Sequence, residues 1–179
     1  MNKIKSFTSQ SDTTEYHPYD PNLPAVFLEI KGLIEEALPN VKVEHVGSSS
    51  IPGVGGRNAI DIVIPAAKAE EPAIRQGLQG LGFQDSPFKH FLPLMVGVIA
   101  HEGKDYTILL YVISQDSEVY TGWIAFRNYM RTHPEDSHSY DELKQQSIAA
   151  GKVDGWSYQK AKTPFLVSIT EKIAKSTQG

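Results

Sequence analysis

The chain contains no cysteine. That excludes disulfides, zinc–thiolate sites and thiol catalysis. It agrees with a cytoplasmic protein, which is the expected setting. Long apolar runs are missing too. No stretch approaches the ~20 residues of a membrane span, so no membrane partner is expected. Residues 1–14 are polar and lack the apolar centre of a secretory leader. Positive charge is not in excess: 17 Lys and Arg against 21 Asp and Glu give a net charge of −4. A protein without a broad basic surface is a poor candidate for indiscriminate nucleic-acid binding. Repeats and low-complexity segments are absent as well.

What is present is a chain of 179 residues, 40% of them hydrophobic. A chain of this length buries about 70% of its unfolded surface, enough for a full core. Residues 1–15 are expected to form a tail. Residues 16–116 carry a mixed α/β pattern, and residues 117–179 read as helices packed on that core. Nothing in the sequence specifies an oligomeric state.

The organising stretch is 44–64, EHVGSSSIPGVGGRNAIDIVI. It reads as a strand end over Val41 to Val46, a polar turn, a glycine-rich loop and a second strand from Ala59 to Ile64. Gly47 allows a sharp turn and a close backbone approach to a ligand. Ser48, Ser49 and Ser50 add hydroxyls beside backbone N–H groups, a combination suited to phosphate oxygens. Asp61 is the one acid in an apolar, β-branched run, and a buried carboxylate is costly unless it is paired or holds a metal.

The remaining elements follow from periodicity. Pro21 and Pro24 open a helix whose stripe is Val26, Ile30, Leu33, Ile34 and Ala37. A second helix is predicted over 68–81, with Pro72 in its first turn and Gly82 as its stop. Residues 83–87 form a short strand or turn. Strands over 90–100 and 105–113 make an antiparallel hairpin. Three helical stretches follow: one from Ser117 to His133 with Val119, Trp123, Phe126 and Met130 inward, one over 136–150, and one over 156–175 kinked or split at Pro164. The expected architecture is a twisted mixed sheet flanked by helices with a C-terminal helical cap.

Gly47-Ser48, then a spacer, then Asp61 resembles the nucleotidyltransferase superfamily, in which the turn holds nucleotide phosphates and acids hold divalent metal. Val63 stands where the second acid usually lies. Glu44-His45-Val46-Gly47-Ser48, Ile51-Pro52-Gly53, Arg57 and Ile60-Asp61-Ile62 resemble the GrpB family more closely. So do Pro18-Tyr19-Asp20-Pro21, the run from Phe126 to Glu135, Tyr140 with Leu143-Lys144, and Tyr158 with Lys162 and Phe165. The resemblance runs from about Tyr16 onward. It implies a nucleotidyltransferase-like fold and a Mg²⁺- or Mn²⁺-dependent nucleotidyl transfer with Asp61 as the catalytic metal ligand. That family usually carries His-x-His where this chain has Leu109-Leu110-Tyr111. Some of its members are fused to dephospho-CoA kinase.

Each candidate has a plainer reading beside it. Asp61 is either a metal ligand or a buried acid paired with Arg57. Asp105 and Asp116, as further ligands, compete with solvated turn acids. Arg127 and Arg131 share a helix face; they form a phosphate clamp or ordinary salt bridges. His133 joins that face or caps the helix. His45 supports the turn or is a satisfied sheet-edge histidine. Lys144 and Lys162 are cations on later helices, and Tyr19, Tyr111 and Tyr158 line a pocket or simply pack. Two functions remain open. One is nucleotidyl transfer, with Gly47, Ser48, Ser49, Arg57, Arg127 and Arg131 on the nucleotide. The other is a non-catalytic module that binds a nucleotide or another phosphate-bearing anion without metal, with a link to coenzyme A metabolism suggested by the fusions alone.

Overall fold

The computed structural model describes residues 3–8, 14–87 and 92–176. A five-stranded sheet runs β1 (Glu44–Val46), β2 (Ala59–Ala66), β3 (Gln84–Asp85), β4 (Leu94–His101) and β5 (Lys104–Ser114). Its spatial order is β1-β2-β5-β4-β3. Among the described residues only the central β2–β5 pair is parallel; the other neighbours are antiparallel. The sheet is therefore mixed. The first strand is shorter than the predicted 41–46. Positions 90 and 91 of the predicted fourth strand lie outside the described residues.

Side chains alternate across β2 and give it two different faces. Ile60, Ile62 and Ile64 are fully buried against α1 (Leu23–Ala37) and α2 (Glu71–Leu81). Val26, Ile30 and Ile34 come from α1, and Ile74 and Leu78 from α2. Both helices carry proline at their first positions. Gly82, at φ 109°, closes α2 in the left-handed conformation, the usual role of glycine at a helix end. The opposite face of β2 presents Ala59, Asp61 and Val63. It meets α3 (Glu118–Thr132), α4 (Pro134–Ala149) and α5 (Gly155–Ser176).

Two of the three C-terminal helices open on side-chain caps. The Ser117 hydroxyl accepts from Tyr120 N at 3.2 Å. The Asp154 carboxylate accepts from Ser157 N at 2.9 Å. Both satisfy otherwise unpaired N–H groups of a first helical turn. Pro164 lies inside α5, and the helix runs through it unbroken. Val119 and Trp123 of α3 pack on Val46, Val63 and Ile113 of the sheet. Ile51 and Val54 of the glycine loop join Met130, Tyr140 and Ile169 in a separate helical core.

Residues 3–8 depart from a tail. Lys5 exchanges two backbone hydrogen bonds with Val98 at 2.8 and 3.0 Å. Ile4 and Phe7 are buried, so this segment is packed on the body and bridged to β4. Residues 1, 2 and 9–13 of the expected tail lie outside the described residues. Among the described residues, no helix is long and apolar enough to cross a membrane.

Candidate functional site

The second face of the sheet is only partly covered. Between it and α3–α5 lies a cavity of about 440 Å³. Its polar wall comes from the organising stretch and two later helices: Gly47, Ser48, Arg57, Asp61, Lys144 and Lys162. Its apolar wall includes Val119, Trp123, Phe126, Tyr158 and Leu166. Residues up to 124 positions apart in sequence thus meet at one place, Val46 and Thr170 being the extremes.

Gly47 has φ 68° and ψ −172°, a region open essentially to glycine alone. A Cβ there would run into the Asp61 carboxylate. The turn and the acid are thus packed directly together. Ser48–Ser50 form one 3₁₀ turn. The Ser50 hydroxyl donates to Gly47 O at 2.7 Å. Ser49 turns away from the cavity: its Oγ lies 3.0 Å from His45 Nε2 and accepts from Asp61 N at 3.3 Å. Of the three serines, Ser48 lines the cavity.

The glycine loop is held from outside. Gly55 N donates to Asp141 Oδ1 at 2.8 Å, and Lys144 Nζ donates to Gly55 O. Asp141 and Lys144 are i and i+3 on α4, so one helical turn grips both backbone groups of Gly55. Tyr16 Oη also donates to Asp141 at 2.9 Å. His17 exchanges backbone bonds with Gly56 at 2.7 and 2.9 Å. Asp141 carries no signal in the sequence, because its partner lies 86 residues away.

The charges inside the cavity are unequally engaged. Lys144 is 1% exposed, tied to Gly55 and placed over the Tyr140 ring, 4.7 Å from its centroid. Burial pulls its amine down to about 7. Lys162 sits over Tyr158 at 4.5 Å; burial, with Arg57 nearby, brings it down to about 8. Burial raises Asp61 above the usual carboxylate range, against the pull of Arg57, Lys162 and Lys144. What surface Asp61 retains faces the cavity. Burial also pushes the phenols of Tyr111 and Tyr158 up to about 12. Among the described residues, the head groups of Asp61, Arg57 and Lys162 make no side-chain hydrogen bond.

A divalent metal fits this donor set poorly. The register places Leu109 opposite Asp61 and Tyr111 opposite Val63. The positions where a second acid and a His-x-His would stand are therefore leucine, tyrosine and a fully buried valine. Asp105 lies at the far end of β5, bonded to Lys5 at 3.1 Å, and Asp116 is in the exposed turn after it. Among the described residues no group of three His, Asp or Glu side chains is gathered anywhere. Three cations surround Asp61 instead, and they would repel Mg²⁺ or Mn²⁺.

Other expected site residues lie outside the cavity. Arg127 donates to Glu44 Oε2 at 2.7 Å and to His45 O at 3.0 Å. Arg131 donates to Ser50 O at 2.8 Å. Both guanidinium groups brace the back of the turn. His133 is exposed and stacked on Tyr129 at 3.8 Å. Tyr19 packs against the α1 core.

His45 is 6% exposed and stacked on Phe27 at 4.6 Å. Burial, then the charges of Arg131 and Arg127, drop its pKa to about 3. A base held below its ordinary value resists protonation in the fold. Its stability contribution is complete above pH ~6.5 and is lost as pH falls toward 3. Wild type is expected to lose about 2 kcal/mol more than His45→Gln between pH 7 and pH 5, read from urea unfolding at both values. Equal losses would mean that His45 titrates normally.

The cavity's apolar wall has a partial signal in sequence. Trp123 and Phe126 belong to a helical stripe, and a stripe facing a cavity has the same 3.6-residue period as one facing a core. Glu118 and Gly122, which also line the cavity, carry no signal.

Comparison with known proteins places this arrangement. A family model described as GrpB protein matches residues 13–172. A UPF0157 protein of Pseudomonas aeruginosa is 26% identical over 178 residues, covering 95% of this chain and 72% of its own length. Another, of Vibrio cholerae, is 30% identical over 146 residues, covering 79% and 70%. The crystal structure of conserved protein GrpB from Enterococcus faecalis superimposes with TM-score 0.71 at 22% identity, covering 92% of this chain and all of that one. The GLD-2/RNP-8 complex gives 0.57 at 15% identity, over 79% of this chain and 50% of that one. The Cid1 poly(U) polymerase with MgGTP bound gives 0.51 at 9%, over 71% and 42%. The fold is nucleotidyltransferase-like.

Proposed function

The chain belongs to the GrpB family, and from that premise we propose that it binds a phosphate-bearing small molecule in the α3–α5 cavity without a metal ion. One observation carries the reading. Arg57 and Lys162 enter the cavity beside the Gly47–Ser48 turn, and among the described residues neither head group makes a hydrogen bond. A guanidinium and an ammonium left unbonded in a half-enclosed space are suited to phosphate oxygens. In this reading Asp61 is the counter-charge that keeps the cations in the folded protein before the ligand arrives. The ligand is nucleotide-sized, because about 440 Å³ falls in the range of small-molecule sites.

The second reading is nucleotidyl transfer from a nucleoside triphosphate to an acceptor hydroxyl, with Mg²⁺ or Mn²⁺ on Asp61. It is favoured by the position of Asp61 on β2 beside the glycine turn, in the fold shared with GLD-2 and Cid1. Asp61→Asn separates the two. Calorimetric titration with AMP, ATP and phenyl phosphate, in EDTA and then in Mg²⁺ or Mn²⁺, is the experiment. The binding reading expects affinity in EDTA that Asp61→Asn preserves or raises several-fold, because a negative charge beside the phosphate site is gone. Binding that needs the metal and disappears in Asp61→Asn would transfer the protein to the enzymatic reading. Absence of binding by either nucleotide and by phenyl phosphate under every condition would remove both.

A further inference from the structure

Charge and shape narrow the ligand further. The lining contains three cations, Arg57, Lys144 and Lys162, and two acids, Asp61 and Glu118. Three less two leaves a net charge of +1 when every group is ionised. Lys144 is already bonded to Gly55 O, so two cationic heads remain for a ligand. A phosphomonoester carries about −1.5 to −2 at neutral pH and is matched by those two heads. A triphosphate carries roughly twice that charge and would bring uncompensated negative charge next to Asp61, which is costly away from bulk water.

The opposite wall is flat and apolar. Trp123 stands edge-on to Tyr111 with centroids 5.1 Å apart, and Phe126 stands edge-on to Tyr140 at 5.7 Å. Both α3 rings are thereby fixed in orientation by partners that also line the cavity. Gly122, one residue before Trp123, is an independent sign. Glycine inside a helix destabilises it relative to alanine. A Cβ at Gly122 would meet no atom within 4 Å, so packing does not require this glycine. It lines the cavity, and its missing side chain leaves that stretch of the wall open.

Resting on the binding reading above, we propose that the ligand is a phosphomonoester on a flat aromatic body, with the phosphate between Arg57 and Lys162, the ring against Trp123 and Phe126, and di- and triphosphates disfavoured. The shared chemistry is one phosphate and one aromatic ring system. An aryl phosphate and a nucleoside monophosphate both satisfy it.

The chain has two tryptophans, and Trp156 is exposed at 73%. Trp156→Phe therefore leaves Trp123 as a reporter inside the cavity. This variant is titrated in EDTA with inorganic phosphate, phenyl phosphate, AMP, ADP and ATP, with affinities from calorimetry and location from Trp123 emission. The expected result is that phenyl phosphate or AMP binds at least tenfold tighter than inorganic phosphate and at least tenfold tighter than ATP, and changes Trp123 emission. Preference between phenyl phosphate and AMP identifies the source of the ring. Gly122→Leu, added to this background, is expected to weaken that binding at least tenfold while thermal unfolding stays within a few degrees. ATP binding as tightly as AMP without metal would overturn the inference and leave anion binding standing. Inorganic phosphate binding as tightly as phenyl phosphate would also overturn it, because the aromatic wall would then contribute nothing. Failure of every phosphate compound would overturn it together with the reading it rests on.

Discussion

Gly47→Ala is expected to cost about 3 kcal/mol of stability, near the upper end for a single substitution. Two effects add. The backbone at φ 68°, ψ −172° is strained for any residue with a Cβ, at about 1–3 kcal/mol. The new methyl also occupies the place of the Asp61 carboxylate, so the acid must leave its packed position or the turn must open. Gly53→Ala is the control. Gly53 also has positive φ, at 81°, but a Cβ there meets nothing within 4 Å. It should cost only the backbone strain, roughly 1 kcal/mol. Urea unfolding of both variants, with the slope unchanged, measures the difference. For a chain of this length the extra 2 kcal/mol corresponds to about 4–8 °C in Tm. Equal costs at the two glycines would mean that the contact between turn and acid is not a constraint.

That contact explains how far the site can be read from sequence. Gly47, Ser48 and Asp61 sit within fifteen residues, and both the turn and the isolated acid leave local marks. A glycine in a polar turn and a carboxylate in a β-branched run are each locally costly, so each announces itself. The mixed sheet, the hairpin of β4 and β5 and the three C-terminal helices are legible for the same reason: periodicity and caps are local. The grip of Asp141 and Lys144 on Gly55 is not. It depends on α4 crossing the glycine loop, a fact of topology. The partners of Arg127 and Arg131 are hidden for a related reason. Two arginines on one helix face look like a phosphate clamp, whereas their partners, Glu44, His45 O and Ser50 O, are backbone and edge-strand groups far away in sequence. Those bonds hold the turn from behind.

The aromatic wall shows a different limit. Val119, Trp123, Phe126 and Met130 make one stripe by period. The structure divides it. Met130 is buried with Tyr140 and Ile169, while Val119, Trp123 and Phe126 keep surface toward the cavity. The division follows from where α5 lies over α3, and a single helix's sequence does not record its neighbours' positions. A metal site and an anion site leave different marks in a sequence. Metal needs several ligands of few types, and Val63, Leu109 and Tyr111 visibly lack them. Two unbonded cations need only the right neighbours.

Those two cations yield the second large effect. Arg57→Ala and Lys162→Met are each expected to weaken phosphate binding by roughly 10- to 100-fold, since a hydrogen bond to a charged group is worth about 1.5–3 kcal/mol. The double variant should show no measurable binding at millimolar phenyl phosphate or AMP. The stability of Lys162→Met should move the other way. The folded protein holds this amine at about 8, mainly through burial, below its ordinary value of 10.5. The unfolded chain therefore binds the proton more readily between those two values. The resulting stability deficit is full below pH 8 and disappears as pH rises toward 10.5. Methionine fills similar volume without the charge, and Arg57 and Lys144 remain to balance Asp61. At pH 7 Lys162→Met should thus unfold at the same urea concentration as wild type or a higher one. Retained binding in this variant would place the phosphate elsewhere. Lost binding with a large loss of stability would make Lys162 a structural cation. Lost binding with equal or greater stability is the outcome expected of a residue kept for its ligand, because the fold bears its burial without a return until the phosphate arrives.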